Sequence, residues 1–339
     1  MKKTILVTGG AGYIGSHMVY CLLQSGHRPV VLDNLSAGSP NLPPKTVPLI
    51  RADLRSKKEI DRVFKQYAVD TVMHFAASIS APGSVERPLE YFQNNVCASI
   101  HLLESMLAHK VHKILFSSTA AVYGNPQRVP IDENCPVAPL NPYGQSKAMV
   151  EDILKDTARA GRLRYIVFRY FNACGAHPSG NITSSRDGSH LLSKIFGVLD
   201  GRMPFLPIYG TGYPTPDGTC IRDYIHVMDI CRGHLLALEA FDRGIYNEIV
   251  NLGSQKGHSV RQTVEIARRV FAAALRTKDF KQRPGDPAVS IASCGKAKRL
   301  LNWRPIYDLE SMMRTAHPAK NSGASRPLPI VKGRRHRSR

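Results

Sequence analysis

The sequence contains no long run of apolar residues, and none approaches the roughly 20 that a membrane-spanning helix requires. Lys2 and Lys3 precede a short apolar stretch, but glycines follow too soon for the apolar core of a signal peptide. We therefore expect a cytoplasmic protein without a membrane segment. Its 339 residues suffice for one large domain or two closely connected domains.

Close cysteine pairs are also missing. The seven cysteines are scattered from Cys21 to Cys294, without the spacing of a metal site or a redox pair. His109 and His112 lack acidic or thiol partners at metal-ligand spacing. We therefore expect reduced thiols and no metal.

Acidic residues are absent from Ser311 onward, where eight lysines and arginines occur. The formal net charge of the chain is +20, which would ordinarily suggest a nucleic-acid partner. Because the terminal stretch concentrates positive charge, we expect residues 317–339 to form a basic, disordered tail. Binding of nucleic acid or another anion by this tail is the less favoured alternative.

Short β-rich runs alternate with longer amphipathic stretches, a pattern that is typical of repeated βα units. The predicted strands are residues 4–8, 29–33, 47–53, 70–75, 113–118 and 164–170. Each run is almost continuously apolar, as expected of parallel strands covered by helices on both faces. The sequence predicts an α/β fold, a doubly wound parallel (Rossmann) sheet with a smaller α/β substrate-binding domain.

The regular alternation ends after Tyr170, and glycine and proline become frequent between residues 175 and 223. We expect substrate-binding loops and a few helices there. A helix at 227–241 then leads to a strand at 248–252 that returns to the sheet, and Ser259 precedes a helix at 260–275. We therefore expect a sheet domain of residues 1–175 and 222–253, and a second domain of residues 176–221 and 254–316.

The first predicted strand runs into a glycine-rich turn. Gly9, Gly12 and Gly15 allow a tight turn, close approach of the backbone to a pyrophosphate, and close packing of the next helix. Asp33 ends the second strand at the spacing of a ribose-binding acid, and no arginine adjoins it to accept a 2′-phosphate. The sequence therefore predicts a dinucleotide site that binds NAD rather than NADP.

Two further strand ends would lie along the same edge of the sheet. Asp53 and Leu54 follow the third strand, where they could meet the adenine of the dinucleotide. Phe75, Ala76 and Ala77 follow the fourth strand, where the two alanines leave room beside the dinucleotide. Both assignments depend on the glycine-rich turn.

Asn141 and Pro142 predict the start of a helix, since asparagine caps helices and proline suits the first helical position. Tyr143 and Lys147 then share one helix face, where a cation favours the phenolate and makes tyrosine a usable base. Thr119 ends the fifth strand, from which its hydroxyl could relay a substrate proton. Taken alone, the pair could be a solvated helix face and Thr119 a turn or cap residue.

Together these motifs resemble the extended short-chain dehydrogenase/reductase family, and within it the UDP-glucose 4-epimerase family. The resemblance extends to Asn302 and Trp303, almost the whole chain. It rests on residues 9–16, 33–35, 117–124, 143 with 147, 169–172, 209–210, 217–219, 222–227 and 283–286.

The resemblance implies reversible epimerisation at C4 of a UDP-hexose, through a 4-keto intermediate and transient reduction of bound NAD, in galactose metabolism. Tyr143 would be the base, Thr119 would lie between it and the sugar, and Lys147 would bind the nicotinamide ribose and lower the pKa of Tyr143. A homodimer is also implied. The NAD contacts would be Gly9, Gly12, Tyr13, Ile14, Gly15, Asp33, Asn34, Leu35, Ser36, Asp53, Leu54, Phe75, Ala76, Ala77, Asn95, Thr119, Tyr143, Lys147 and Phe171.

The same resemblance places the UDP-sugar in the second domain. Arg222 and Arg283 could clamp its diphosphate with bidentate hydrogen bonds, although each could also be a surface charge. Ile208 and Tyr209 would flank the uracil. The expected substrate contacts are Thr119, Tyr143, Asn172, His190, Leu191, Ile208, Tyr209, Arg222, Arg283, Asp286 and Ser290. A small residue at Ser290 predicts a wide sugar pocket that also accepts N-acetylated UDP-hexoses.

The chain departs from the family pattern in three places. Gly83 stands where a carboxylate near the sugar is common, and the segment 190–194 differs from the usual substrate loop. After residue 316, the basic tail replaces the usual aromatic C-terminal helix. We expect altered sugar contacts and a lower stability than that of the relatives, because a lost buried aromatic residue costs several kcal/mol.

Other functions remain as alternatives. A different sugar-nucleotide epimerase, including one for uronates, would share the same motifs. A 4,6-dehydratase needs an acid to eliminate water, and Ala120 and Ala121 after Thr119 offer no carboxylate. A non-catalytic NAD-bound regulator or nucleic-acid binder would have no reason to keep Thr119, Tyr143 and Lys147 together.

Overall fold

A parallel seven-stranded sheet forms the centre of the computed structural model, which describes residues 2–180, 182, 190–283 and 286–317. The strands in chain order are β1 (Thr4–Thr8), β2 (Arg28–Asp33), β3 (Leu49–Arg51), β4 (Thr71–His74), β5 (Lys113–Thr119), β6 (Arg164–Tyr170), β7 (Asn172–Cys174), β8 (Leu206–Tyr209), β9 (Ile221–His226), β10 (Glu248–Leu252), β11 (Gly257–Ser259), β12 (Thr277–Phe280) and β13 (Val289–Ser290).

The strand order of the main sheet is β3-β2-β1-β4-β5-β6-β10, with neighbouring strands parallel throughout. The chain reverses its direction of travel across the sheet between β1 and β4. In open α/β sheets the crevice at the carboxyl ends of such strands is where ligands bind. The predicted doubly wound Rossmann sheet is confirmed.

Helices connect and cover these strands. They are α1 (Tyr13–Gln24), α2 (Lys57–Gln66), α3 (Ala81–Glu86), α4 (Pro88–Tyr91), α5 (Ala98–Ala108), α6 (Pro142–Arg159), α7 (Leu191–Leu199), α8 (Val227–Asp242), α9 (Val260–Phe271), α10 (Gly295–Leu301) and α11 (Leu309–Ala316). A π-helical stretch, Phe92–Cys97, joins α4 to α5, and a 3₁₀ turn, Ala120–Tyr123, follows β5.

Two hydrophobic layers enclose the main sheet. On one face α1 packs against α8, with Leu22, Ile230 and the fully buried Trp303 in a shared core. On the other face α2, α5 and α6 contribute Val63, Leu102 and other apolar side chains to a second core. The helices bury the apolar side chains on both faces of the sheet, and this burial stabilises the sheet.

A smaller sheet lies beyond the carboxyl ends of the main strands. In it β9 pairs with β7, β11 and β13, and a separate parallel pair joins β8 to β12. The helices α7, α9 and α11 cover this region through a third core that contains Phe196, Val264 and Met313. The predicted boundary at residue 222 falls inside β9, so the small sheet connects the two expected domains. We keep the two-domain division as a proposal.

Several predicted elements agree with the structure, and others are shorter. The strands β6 and β10 occupy residues 164–170 and 248–252, as predicted. The strand predicted at 47–53 is limited to Leu49–Arg51, and α9 ends at Phe271 rather than near residue 275 because Ala272 takes a left-handed conformation with φ of 48°.

The first residue of the expected basic tail, His317, lies within the described part of the chain. His317 is ordered at the end of α11, where its ring stacks on Phe196 at 5.1 Å and its Nε2 lies 2.9 Å from the Asp200 carboxylate. Residues 318–339 lie outside the described part of the chain. Within the described part, no helix has both the length and the apolar character to cross a membrane. The same residues contain no cluster of three or more His, Cys, Asp or Glu side chains that could hold a metal.

Candidate active site

The glycine-rich turn joins β1 to α1 at the centre of the sheet. Gly9 has a φ of 70°, and a Cβ atom on it would lie 2.6 Å from the backbone nitrogen of Ala76. On Gly15 a Cβ atom would lie 2.2 Å from the carbonyl oxygen of Gly9. Only glycine therefore permits this approach of β1, α1 and the end of β4.

The first turn of α1 is open to an anion. Gly12 precedes the helix without a side-chain cap, and the first turn contains no acidic residue. Its backbone N–H groups and the positive end of the helix dipole suit a pyrophosphate, so the turn fits the NAD of the sequence prediction. The side chain of Tyr13 donates its hydroxyl to the carbonyl of Gly175 at 2.6 Å, while Ile14 packs on the core.

Asp33 holds the turn and the next loop together. Its carboxylate accepts from the backbone N–H groups of Ala11 at 3.0 Å and Leu35 at 2.8 Å. The Asn34 side chain donates to Asp53 at 3.1 Å and accepts from the Ser36 N–H at 3.0 Å. These contacts bring together the residues predicted for the adenosine end of NAD.

The Asp53 carboxylate pairs with the guanidinium of Arg55. Arg55 forms two hydrogen bonds to the Asp53 carboxylate, at 3.0 Å and 2.7 Å, and they hold the pKa of Asp53 well below its usual range. Leu54 beside it is buried in the core of that face. The Arg55 guanidinium is thus occupied by Asp53, which is consistent with the predicted preference for NAD over NADP.

The end of β4 adds a mixed apolar and polar wall. Phe75 packs its ring on the buried His234 at 4.9 Å, and Ala76 and Ala77 follow with partly exposed side chains. Asn95 lies in the π-helical stretch, where such stretches often mark functional sites. Its side chain accepts from Ser78 N–H at 2.8 Å and donates to Ser146 at 3.0 Å, so it connects this wall to α6.

The predicted base lies on α6, which begins as expected. The Asn141 side chain accepts from the N–H of Gly144 at 2.9 Å, and Pro142 occupies the first turn. Tyr143 is half-buried, and the side chain of Thr119, the last residue of β5, lies near enough to its phenol to act on its pKa. The structure therefore brings Thr119 and Tyr143 together at the carboxyl edge of the sheet.

Lys147 is 3% exposed and is held beneath this pair. Its ammonium donates to the carbonyl of Ser117 at 2.8 Å and lies 4.8 Å from the centre of the Phe116 ring. Burial lowers the pKa of Lys147 to about 7, while the carboxylate of Glu151 acts to raise it. Glu151 had no assigned role in the sequence interpretation.

The pKa of Tyr143 differs from the sequence prediction. Burial raises this pKa, and the nearby side chain of Thr119 opposes the rise only in part. The expected lowering by Lys147 is absent because the ammonium is directed to Ser117 and is itself desolvated. Within the described side chains, nothing compensates fully for the burial of the phenol.

A second group of predicted residues lies across the crevice. Arg222 donates to the carbonyl of Pro287 at 2.7 Å and lies 3.7 Å from the carboxylate of Asp286. Ser290 pairs with Arg222 in the register of β13 and β9. Asn172 donates to the carbonyl of Asp223 at 2.7 Å, so it is fixed beside the same strand.

Basic side chains surround Tyr209. The guanidinium of Arg283 lies 3.7 Å from the centre of its ring, and the ammonium of Lys194 lies at 5.0 Å. A hydrogen bond to Arg283 lowers the pKa of Tyr209. Lys194 was not predicted as a site residue, although burial and Arg283 lower its pKa. Pro284 and Gly285 lie outside the described residues.

Some predicted contacts turn away from the crevice. Ile208 is 2% exposed, so its side chain cannot flank a uracil in this structure, and only Tyr209 of that pair is accessible. Phe171 is buried in the core. His190 is exposed at the start of α7, and Leu191 packs on the third core.

Gly83 lies near a tyrosine hydroxyl that the sequence interpretation did not consider. A Cβ atom on Gly83 would lie 3.1 Å from the hydroxyl oxygen of Tyr91, which is buried in α4. The charge of an ionised Tyr91 would raise the pKa of Tyr143. A side chain at residue 83 would therefore press on the Tyr91 hydroxyl and on the Ser80 side chain, so glycine permits this close packing.

Comparison with known proteins agrees with this geometry. The chain matches the NAD dependent epimerase/dehydratase family over residues 5–253. It is 45% identical over 314 residues to a UDP-glucose 4-epimerase of Azospirillum brasilense, with 92% of this chain and 90% of that protein covered.

Two solved structures show the same fold with closely related sequences. One is a UDP-glucose-4-epimerase from Stenotrophomonas maltophila with bound NAD and formylated UDP-arabinopyranose, at a TM-score of 0.89 and 37% identity, covering 93% of this chain and 96% of that one. The other is the UDP-Glc/GlcNAc 4-epimerase from Campylobacter jejuni, at a TM-score of 0.81 and 36% identity, covering 93% and 98%. The chain belongs to the NAD dependent epimerase/dehydratase family.

Proposed function

We propose that the protein catalyses reversible inversion at C4 of a UDP-hexose, interconverting UDP-glucose and UDP-galactose in galactose metabolism. The observation that carries the proposal is that Tyr143 and Lys147 lie against the end of β5, at the same carboxyl edge of the sheet as the glycine turn that ends β1. A hydroxyl pair able to move a proton thus lies next to a dinucleotide site. The relatives named above act as UDP-glucose 4-epimerases, which supports the same substrate here.

NAD is held by the glycine turn, Asp33, the loop of Asn34 to Ser36, and the ends of β3 and β4. When bound, NAD supplies a hydride acceptor for C4, the means of returning that hydride, and a positive charge that favours the phenolate of Tyr143. The donors at the start of α1 bind the pyrophosphate, and Lys147 binds the ribose next to the nicotinamide. Because the hydride is returned to the same carbon, the reaction causes no net oxidation.

Tyr143 acts as the base in this proposal. It removes the proton of the C4 hydroxyl, with Thr119 between the phenol and the sugar, and the carbon becomes a ketone. The 4-ketose turns in the pocket and presents its other face before the proton is returned. The raised pKa of Tyr143 means that the phenolate forms readily only when positive charge is brought close to it.

The nucleotide part of the substrate is held on the opposite wall. Arg222 and Arg283 supply planar donors that suit a diphosphate, and Lys194 adds a third cation beside Tyr209. Tyr209 presents a ring for the uracil, whereas Ile208 does not. Asn172, His190, Leu191 and Asp286 complete the proposed substrate contacts.

We propose that the sugar pocket also accepts N-acetylated UDP-hexoses. The small Ser290 lies in β13, where it pairs with Arg222 of β9. The relative from Campylobacter jejuni is named for activity on both UDP-Glc and UDP-GlcNAc.

We further propose that the protein is a cytoplasmic homodimer. Leu89, Ile100 and Met149 are exposed apolar residues on α4, α5 and α6, which could meet the same surface of a second copy. The structure describes all seven cysteines as free thiols, as is usual in a reducing compartment. Light scattering after gel filtration tests the dimer, and Ile100→Glu should give a monomer.

Assay of purified protein with UDP-galactose tests the activity. Formation of UDP-glucose is expected, and Tyr143→Phe should retain NAD but lose at least about 100-fold in kcat, the usual contribution of a general base. Formation of a 4-keto-6-deoxy product would indicate a dehydratase instead. Absence of turnover together with strongly salt-dependent DNA binding would indicate a nucleic-acid binder.

A further inference from the structure

Three successive turns of α6 are attached to the last three residues of β5. Tyr143 lies beside the side chain of Thr119, and Lys147 donates to the carbonyl of Ser117 at 2.8 Å. One turn further on, Glu151 accepts from the hydroxyl of Ser118 at 2.5 Å. Because side chains four residues apart share one helix face, this face of α6 holds the end of the strand.

Glu151 makes the deepest of these attachments. It is 1% exposed, and Arg169 on β6 donates to its two carboxylate oxygens at 3.0 Å and 2.6 Å. The Arg169 guanidinium lies 4.7 Å from the centre of the Tyr123 ring, and the Tyr123 hydroxyl donates to Asn251 at 2.7 Å. The carboxylate is therefore fixed from β5 and β6, and the turn after β5 packs on the guanidinium that holds it.

Stability alone does not account for such a pair. Removing two charges from water costs several kcal/mol per ion, and apolar residues of similar volume often stabilise a core equally well. A charged pair instead fixes one geometry, because the carboxylate accepts from its partners only at defined positions. In this protein one of those partners is Ser118, the residue that precedes Thr119 in β5.

We propose that Glu151 is a positioning residue of the active site, which acts through Ser118 to hold Thr119 in register with Tyr143. The proposal rests on the proposed epimerase function. In the proposed reaction, Glu151 contacts neither the substrate nor the cofactor. Its bond to Ser118 limits rotation at the end of β5, so that the two hydroxyls remain within proton-transfer distance.

The carboxylate has a second effect through Lys147, one helical turn away. The ionisable groups that interact with the Lys147 ammonium are Glu151 on α6 and His74 on β4, and the Phe116 ring covers one side. His74 stays neutral because burial lowers its pKa to about 3. Glu151 thus supplies the negative charge that raises the pKa of Lys147 against the effect of burial. Arg169 pairs with Glu151 from β6, Tyr165 lies near enough for Glu151 to raise its pKa, and Tyr123 contacts the Arg169 guanidinium.

The variant Ser118→Ala tests the positioning role without leaving a buried charge unpaired. It removes only the hydroxyl bond and keeps Glu151 paired with Arg169. We expect kcat for UDP-galactose to fall by about 10- to 100-fold with KM changed less than about twofold, since small misplacement of reacting groups costs up to about 100-fold in rate. Ser105→Ala is the matched control, because Ser105 is fully buried in α5 outside the proposed site.

The variant Glu151→Gln tests the effect of charge through the pH dependence of kcat. Loss of the carboxylate lowers the pKa of Lys147, so the alkaline limb of the profile should move to lower pH. A purely structural defect would lower kcat by the same factor at every pH. If Glu151→Gln does not fold because Arg169 is left unpaired, Ser118→Ala decides the proposal by itself.

Assay of the wild-type protein distinguishes a failure of the proposed epimerase function from a failure of the positioning role of Glu151. If the wild-type chain does not epimerise UDP-galactose, the proposed function is wrong. If the wild-type chain is active and Ser118→Ala matches both it and Ser105→Ala in kcat, the positioning role of Glu151 is wrong. An equal rise of KM and fall of kcat in Ser118→Ala alone would point to a general folding defect and would also overturn it.

Discussion

The variant Gly9→Ala should lower the free energy of unfolding and weaken NAD binding, because it strains the glycine-rich turn between β1 and α1. Alanine in the left-handed conformation of Gly9, at a φ of 70°, costs roughly 1–2 kcal/mol. Its Cβ would also lie 2.6 Å from Ala76 N and 2.9 Å from the carbonyl carbon of Phe75. Because these are backbone atoms, β1 and β4 must separate locally, which adds about 1–3 kcal/mol of overpacking strain.

Gly26→Ala provides the matched control. Gly26 has a φ of 78°, but no atom lies within 4 Å of the position of an added Cβ. The control should therefore show only the conformational cost, while Gly9→Ala should melt about 3–7 °C below wild type for a total of about 2–5 kcal/mol. Thermal melting and the NAD content of the purified protein are the measurements. Equal melting temperatures of the two variants, or full NAD retention by Gly9→Ala, would refute the reasoning.

Three further predictions concern the substrate pocket and the stability of the fold. Ser290→Tyr should abolish turnover of UDP-N-acetylglucosamine while sparing UDP-galactose, and equal loss of both would contradict the wide pocket. Arg222→Lys should raise KM about 10-fold or more with kcat little changed, because the charge remains but one charge-assisted hydrogen bond worth about 1.5–3 kcal/mol is lost; an unchanged KM would remove Arg222 from the diphosphate site. Burial lowers the pKa of four histidines to about 3 or 4 in the folded state. As the pH falls below 6.5, these histidines therefore bind protons in the unfolded state before they do so in the folded state. The free energy of unfolding should then fall by up to about 1.4 kcal/mol per pH unit for each histidine. The carboxyl of Asp223, whose pKa burial raises to about 6, acts in the opposite direction between pH 6 and 4 and offsets one of them, so urea melts that are flat from pH 7 to 4.5 would contradict this expectation. These four histidines are His17, His74, His226 and His234.

The sequence predicted those features that depend on local chemistry. The start of α6 was predicted because Asn141 and Pro142 each have one strong helix-start preference. The glycine turn was predicted because its three glycines answer three separate steric needs. Strands β6 and β10 were predicted to the residue because each has an apolar β-rich centre, residues 165–168 and 249–250, flanked by polar residues.

Features that depend on tertiary contacts were not predicted. The end of α9 has no glycine signal, because Ala272 adopts the left-handed conformation that glycine usually takes. The pair of Glu151 and Arg169 joins residues 18 apart in the chain, and neither has a local pattern that marks it as buried. The raised pKa of Tyr143 follows from its burial, which the spacing to Lys147 does not reveal.

The fate of hydrogen at C4 tests the central claim most directly. Purified protein with its own bound NAD should be incubated with UDP-galactose that carries deuterium at C4, and the product examined by NMR. We expect UDP-glucose with the deuterium retained at C4, because the hydride leaves and returns to the same carbon without exchange with water. Loss of the label to solvent, or its migration to another carbon, would contradict the proposed mechanism.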